Sequence, residues 1–144
     1  MKQYILLVLL FVTLQTKAQT SEIFAPDSIA LRGYDVVAFY TEGKAITGSD
    51  KFMYNWKNVK WLFASAEHLA LFKANPANYE PQYGGYCAYG LARGYKAPTM
   101  ADTWHIQENK LYFNYNQKVK TTWQKEQQRL IDSANHKWPQ VKFH

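Results

Sequence analysis

The chain predicts an α+β domain, with a small antiparallel sheet built from hairpins packed against a mid-chain helix and a long C-terminal helix. Two pairs of short runs, each split by two or three turn residues, supply the hairpins. Two polar cap residues, each followed by a helical stretch that stops near a proline, supply the helices. The composition provides the core: 47% of the 144 residues are hydrophobic and 17% aromatic, enough for one packed domain and too much for disorder.

Residues 19–28 are polar and irregular and read as a flexible lead-in, with the domain spanning 29–138 and a short tail over 139–144. Tyr34 to Tyr40 is rich in β-branched and aromatic residues and predicts a strand, with Asp35 as a turn-capping residue at its start. Turns follow at Thr41–Lys44 and Gly48–Asp50. Phe52–Trp56 and Val59–Phe63, separated by Lys57-Asn58, predict a hairpin. Phe52, Tyr54 and Trp56 fall on one face of the first run, and Val59, Trp61 and Phe63 on one face of the second.

Ser65 suits the N-cap of a helix running to about Asn75, with Pro76 beyond its end and His68 beside the apolar face of Leu69 and Phe72. Tyr79–Gly90 reads as a loop, Ala88–Ala92 as a short helix, and Pro98–Asp102 as a further loop. Thr103–Gln107 and Leu111–Tyr115 make a second hairpin in which Trp104 and Ile106 share a face and His105 turns to solvent. Asn116 then caps a single long helix to about His136, ending before Pro139. Its apolar stripe is Val119, Trp123, Leu130 and Ala134, interrupted by Gln127. No internal repeat or low-complexity tract is visible.

Residues 1–18 have the order of a secretory signal: Lys2, the apolar run Ile5–Val12, and Thr16-Lys17-Ala18 before Gln19. The apolar run is shorter than the roughly 20 residues that span a bilayer. The expected product is periplasmic or secreted, with no membrane span after cleavage. Without Lys2 and Lys17, the 17 basic residues become 15 against 11 acidic, a net +4. These charges are scattered, and nucleic-acid binders concentrate theirs, so no nucleic-acid partner is expected.

Cys87 is the only cysteine, set within Tyr83-Gly84-Gly85-Tyr86-Cys87-Ala88-Tyr89-Gly90. A single thiol in an exported chain forms no internal disulfide. It is packed, metal-bound, paired with another molecule, or reactive. No paired carboxylates, phosphate loop, Ser-x-x-Lys or His-Glu-x-x-His motif is present, which excludes the familiar hydrolase and nucleotide-enzyme signatures and nominates no catalytic residue.

Arg32-Gly33-Tyr34-Asp35-Val36-Val37-Ala38-Phe39-Tyr40, Trp61-Leu62-Phe63-Ala64-Ser65 with His68, Leu71-Phe72-Lys73-Ala74-Asn75-Pro76 with Tyr79, and Tyr83–Gly90 together resemble the YHS domain family. With the C-terminal part, the chain looks like the exported single-domain branch, the likeness covering residues 28 to 138. The resemblance implies metal handling, since YHS domains occur beside copper and heavy-metal transport machinery. Ala64 and His68 stand where relatives with a multi-cysteine site carry cysteines. Cys87 stands where some exported relatives look like selenoproteins, which implies redox or soft-ligand chemistry there.

Three chemistries fit these residues. The first is a copper or zinc site using the Cys87 thiolate and His68 imidazole, with Met100 or His105 as further ligands. The second is thiol redox chemistry at Cys87, with the resolving thiol supplied from outside. The third is a packed Cys87 in a module binding a small-molecule ligand or partner protein. In each case Tyr34, Asp35, Tyr83, Gly84, Gly85, Tyr86 and Tyr89 are the expected site lining. One observation separates them: whether the Cys87 sulfur and a His68 nitrogen converge.

Overall fold

The computed structural model describes residues 21–144. The expected signal segment, and the start of the lead-in, lie outside the described residues. Among the described residues the fold is α+β, with five α-helices and two antiparallel sheets of two strands each. In chain order the elements are α1 (Val36–Thr41), β1 (Ser49–Trp56), β2 (Val59–Phe63), α2 (Ala66–Ala74), α3 (Ala88–Ala92), β3 (His105–Gln107), β4 (Lys110–Tyr112), α4 (Gln117–Lys125) and α5 (Gln127–Val141).

The first hairpin forms as its aromatic alternation predicts. Trp56 pairs with Val59 across a tight turn whose residues, Lys57 and Asn58, have φ of 52° and 61°. Two successive positive φ values match the right-handed twist of the flanking strands. Phe72 of α2 lies on this sheet, its ring 5.0 Å from Trp61, 5.2 Å from Phe63 and 5.5 Å from Trp56. The second hairpin is shorter, pairing His105 with Tyr112 through Gln107 with Lys110.

Four expectations are corrected. Tyr34–Tyr40 is not a strand: Val36–Thr41 is a helix, because Asp35 caps its first turn and Val36 to Phe39 are all buried. The β-rich composition reflects burial on every side, and tertiary packing overrides propensity. The single C-terminal helix is two, broken at Glu126, whose φ of −134° and ψ of 37° leave the helical region. The second of these does not stop before Pro139 but includes it and ends at Val141. Finally, the lead-in is packed: Ile23 and Phe24 are 1% and 8% exposed, and Phe24 N–H donates to Gly84 O at 2.9 Å.

Although the sequence shows no repeat, the fold contains one unit twice. Each copy opens with a left-handed turn closing on Gly-Tyr. Leu31, Arg32 and Gly33 have φ of 50°, 57° and 87°; Tyr83, Gly84 and Gly85 have 55°, 62° and 88°. A capping residue and short helix follow, Asp35 before α1 and Cys87 before α3. Then comes a hairpin with two positive-φ turn residues, Lys57-Asn58 or Glu108-Asn109. Each copy closes with a capped helix of nine residues, α2 or α4. The cap bonds fix the correspondence: Ser65 Oγ accepts from His68 N–H at 3.1 Å, and Asn116 Oδ1 accepts from Val119 N–H at 2.9 Å. His68 and Val119 are thus equivalent positions. So are Phe72 and Trp123, each 0% exposed at the centre of its copy's core. The copies pack through Phe39, whose ring lies 5.3 Å from Phe113 and 5.8 Å from Trp104.

Candidate functional site

Asp35 is fully buried, yet every part of its carboxylate is occupied. Oδ1 accepts from Val37 N–H at 2.9 Å and Ala38 N–H at 3.2 Å, which caps α1. Oδ2 accepts from Ala64 N–H at 2.8 Å, tying α1 to the end of β2. The fourth partner is His68, whose Nδ1 lies 2.6 Å from Oδ2. A buried carboxylate already holding three N–H donors is a strong acceptor, so the neutral imidazole carries its proton on Nδ1.

That tautomer leaves a lone pair on Nε2. It faces Thr41 Oγ1 at 3.2 Å and Glu42 Oε1 at 3.4 Å, where α1 ends. The Thr41 hydroxyl has a second acceptor, Val37 O at 3.2 Å, to which its single proton can turn instead. The His68 ring is anchored inside, with only 10% of its side chain exposed, whereas 44% of the Glu42 side chain is exposed. Nε2 therefore looks from a rigid interior toward a solvent-accessible carboxylate.

Cys87 takes the place in the second copy that Asp35 takes in the first. Its residue is 2% exposed, and Sγ donates to Asn114 Oδ1 at 3.6 Å. Burial pushes the thiol up from its ordinary value; hydrogen bonds from the backbone of Gly90, Tyr115 and Tyr89 oppose this only in part. Neither cation near in sequence is committed to the sulfur. Arg93 reaches Tyr89 Oη at 3.4 Å, and Lys96 Nζ donates to Ser21 O and Lys142 O.

The rest of the Tyr83–Gly90 stretch binds the chain itself. A Cβ on Gly84 would lie 1.8 Å from Glu22 O, and one on Gly85 would lie 2.4 Å from Leu31 Cδ2, so both glycines permit close backbone approach. Tyr86 Oη donates to Ser21 O at 2.9 Å, and Tyr83 Oη donates to Asn135 Oδ1 at 2.9 Å on α5. Tyr89 is half-buried, its N–H on Asn114 Oδ1 at 3.2 Å. Tyr34 sits beside α1, bridged to Thr47. Of these expected lining residues, Gly84 and Tyr86 join the N-terminal segment to the core, and Tyr83 joins the C-terminal helix.

Among the expected site residues, the ligand candidate His68 and the lining residue Asp35 are brought together. The hydrogen bonds of His68 run to Asp35, Thr41 and Ser65, and that of the Cys87 sulfur runs to Asn114, with no shared residue. Met100 is 48% exposed. His105, expected to face solvent, is half-buried with its ring 5.6 Å from Trp123; burial lowers its pKa below the ordinary value. Among the described residues, no group of three or more His, Cys, Asp and Glu side chains is arranged to hold a metal ion. Thr41 and Glu42, which the sequence places in a turn, lie at the end of α1. Reading Asp35 as a helix cap would have placed them at the far end of α1.

Comparison with family models, curated proteins and solved structures finds no match to this chain.

Proposed function

We propose that this chain is a non-catalytic, YHS-like binding module in which Cys87 is a packed structural thiol and His68 is the side chain presented to the ligand. The observation that carries this is the 2.6 Å contact between His68 Nδ1 and a fully buried Asp35. Fixing one ring nitrogen to a carboxylate sets the tautomer and the direction of the other, as the carboxylate behind a ligating histidine does.

The duplicated unit supports a functional reading of His68. At the equivalent position the second copy has Val119, half-buried on α4, so the unit accommodates an apolar residue there. A buried Asp–His pair is not a requirement of the architecture. For Cys87 the comparison runs the other way. A buried sulfur with a raised pKa yields little thiolate, and thiolate is the form that binds metals and reacts.

The resemblance to a metal-associated family makes copper and zinc the first ligands to test. Native mass spectrometry with Cu(I) and Zn(II) should be run on the wild type, Cys87→Ser and His68→Val, the last borrowing the second copy's residue. Retained binding in Cys87→Ser with loss in His68→Val is the expected pattern. The opposite pattern, or no binding by the wild type, would overturn the proposal.

A further inference from the structure

We propose that the face built by residues 81–101 and 133–144 docks on an anionic lipid surface. Neither stretch contains an aspartate or glutamate, and together they carry Arg93, Lys96, Lys137 and Lys142. The fold lays one stretch on the other. Lys137 Nζ and Ser133 Oγ donate to Ala92 O at 2.7 and 2.8 Å, and Lys96 Nζ donates to Lys142 O at 2.7 Å. Cations separated by some forty residues of sequence are thus gathered on one side of the domain. Two acids border this face. Glu22 is flanked by Lys57 Nζ at 2.8 Å and Lys142 Nζ at 2.9 Å, and Asp132 accepts from Gln128 Nε2 at 2.9 Å.

The same face exposes aromatic rings. Tyr95 and Phe143 are 50% and 46% exposed. Beside Tyr95 opens a cavity of about 410 Å³ lined by Tyr86, Gly94, Tyr95, Lys96, Val141 and His144. Lys96 Nζ lies 5.0 Å from the centre of the Tyr86 ring and 5.9 Å from that of Trp138. Aromatic rings settle at the headgroup level of a bilayer, and lysine and arginine are drawn to its anionic headgroups. The path of the chain favours a lipid partner over an acidic protein. Ser21, the first described residue, is held here, its carbonyl accepting from Tyr86 Oη at 2.9 Å and Lys96 Nζ at 3.1 Å. In the sequence the apolar run Ile5–Val12 ends nine residues earlier. Nine residues reach at most roughly 30 Å, so a bilayer that takes up this run before cleavage lies within reach of the basic face.

The test is co-sedimentation of the full chain with vesicles of phosphatidylcholine, alone or with roughly one-third phosphatidylglycerol. Binding through the apolar run is common to both vesicles, so the gain on anionic vesicles reads the face. The wild type should show that gain, and salt should diminish it. Arg93→Gln with Lys137→Gln should weaken binding to anionic vesicles roughly 25-fold, about fivefold per cation; Arg93→Gln alone, at an exposed position, should show its fivefold share. Lys118→Gln with Lys125→Gln removes the same charge from exposed positions of α4 and should leave the affinity nearly unchanged. Equal losses in the two double variants would show net charge alone at work and overturn the proposal. So would equal binding to both vesicles. Binding of poly-glutamate that depends on Arg93 and Lys137, without a gain on anionic vesicles, would assign the face to an acidic protein instead.

Discussion

Asp35 and Cys87 occupy the same position in two successive copies of one structural unit. Each precedes a short helix; the Asp35 carboxylate accepts from two N–H groups of that helix and from Ala64 N–H beyond a following strand, whereas the Cys87 sulfur donates to Asn114 Oδ1. In the first copy this position holds a carboxylate, and a histidine from the next helix bonds to it. In the second it holds a buried sulfur, and the equivalent helical residue is Val119. One architecture therefore supports a polar centre in one half and a packed one in the other.

The difference predicts unequal consequences for stability. Asp35→Ala strips the acceptor from the buried Val37 and Ala38 N–H groups, from the partly buried Ala64 N–H and from His68. Each buried donor left unsatisfied costs roughly 1–3 kcal/mol, so the loss should reach several kcal/mol. Ser65→Ala, which removes one cap bond from α2, should cost about 1 kcal/mol. Urea unfolding of the two variants checks the ratio; comparable losses would show that Asp35 is only a helix cap.

Gly84→Ala should release the N-terminal segment. Both Gly84 and Gly43 have left-handed φ, 62° and 61°, so alanine at either bears the same backbone strain of about 1–2 kcal/mol. Only at Gly84 would the new Cβ meet a backbone atom, Glu22 O at 1.8 Å, whereas Gly43 has nothing within 4 Å. Limited proteolysis should cut Gly84→Ala near Ser21–Phe24 and spare Gly43→Ala there. Equal protection would show that the segment does not depend on this approach.

Cys87 should resist thiol reagents in the folded protein and react freely once unfolded, since it is 2% exposed. Rapid stoichiometric labelling of the native chain would contradict a structural thiol.

Alkali should unfold the protein in stages. Burial raises Cys87 above its ordinary value of 9.0 and pushes Tyr40 from 10.0 up to about 12. For both, the folded state holds its proton longer than the unfolded state, so the stability they contribute is full below the unfolded value. It falls as pH climbs from 9.0 for the thiol, and between 10.0 and about 12 for Tyr40. Burial also raises Tyr83, Tyr86 and Tyr112, so Tyr40→Phe should lessen the slope of the second interval in pH-dependent denaturant titrations without abolishing it; an unchanged slope there would remove Tyr40 as a contributor.

What could be read from the sequence followed local rules. Period-two aromatics and a two-residue turn located the first hairpin, and Ser65 and Asn116 located two helix starts. The Val36–Thr41 helix was hidden because its residues are β-branched and aromatic for reasons of burial. The Glu126 break was hidden because helical periodicity continues across it. The duplication left few marks in the sequence: a Gly-Tyr pair, an asparagine in each hairpin turn, and an aromatic at Phe72 and Trp123. The stretch around Cys87 drew attention for its composition, which serves close backbone packing. The Asp35–His68 contact joins residues far apart in the chain, and only the folded hairpin brings them together.

The tautomer of His68 bears most directly on this reading. Long-range nitrogen–proton NMR on the metal-free protein, at a pH where the ring is neutral, reports which ring nitrogen is protonated. A proton on Nδ1, with the Nε2 resonance moving on addition of Zn(II), is the expected result. A proton on Nε2 would mean that Asp35 does not orient the ring, and would leave no lone pair to offer a ligand.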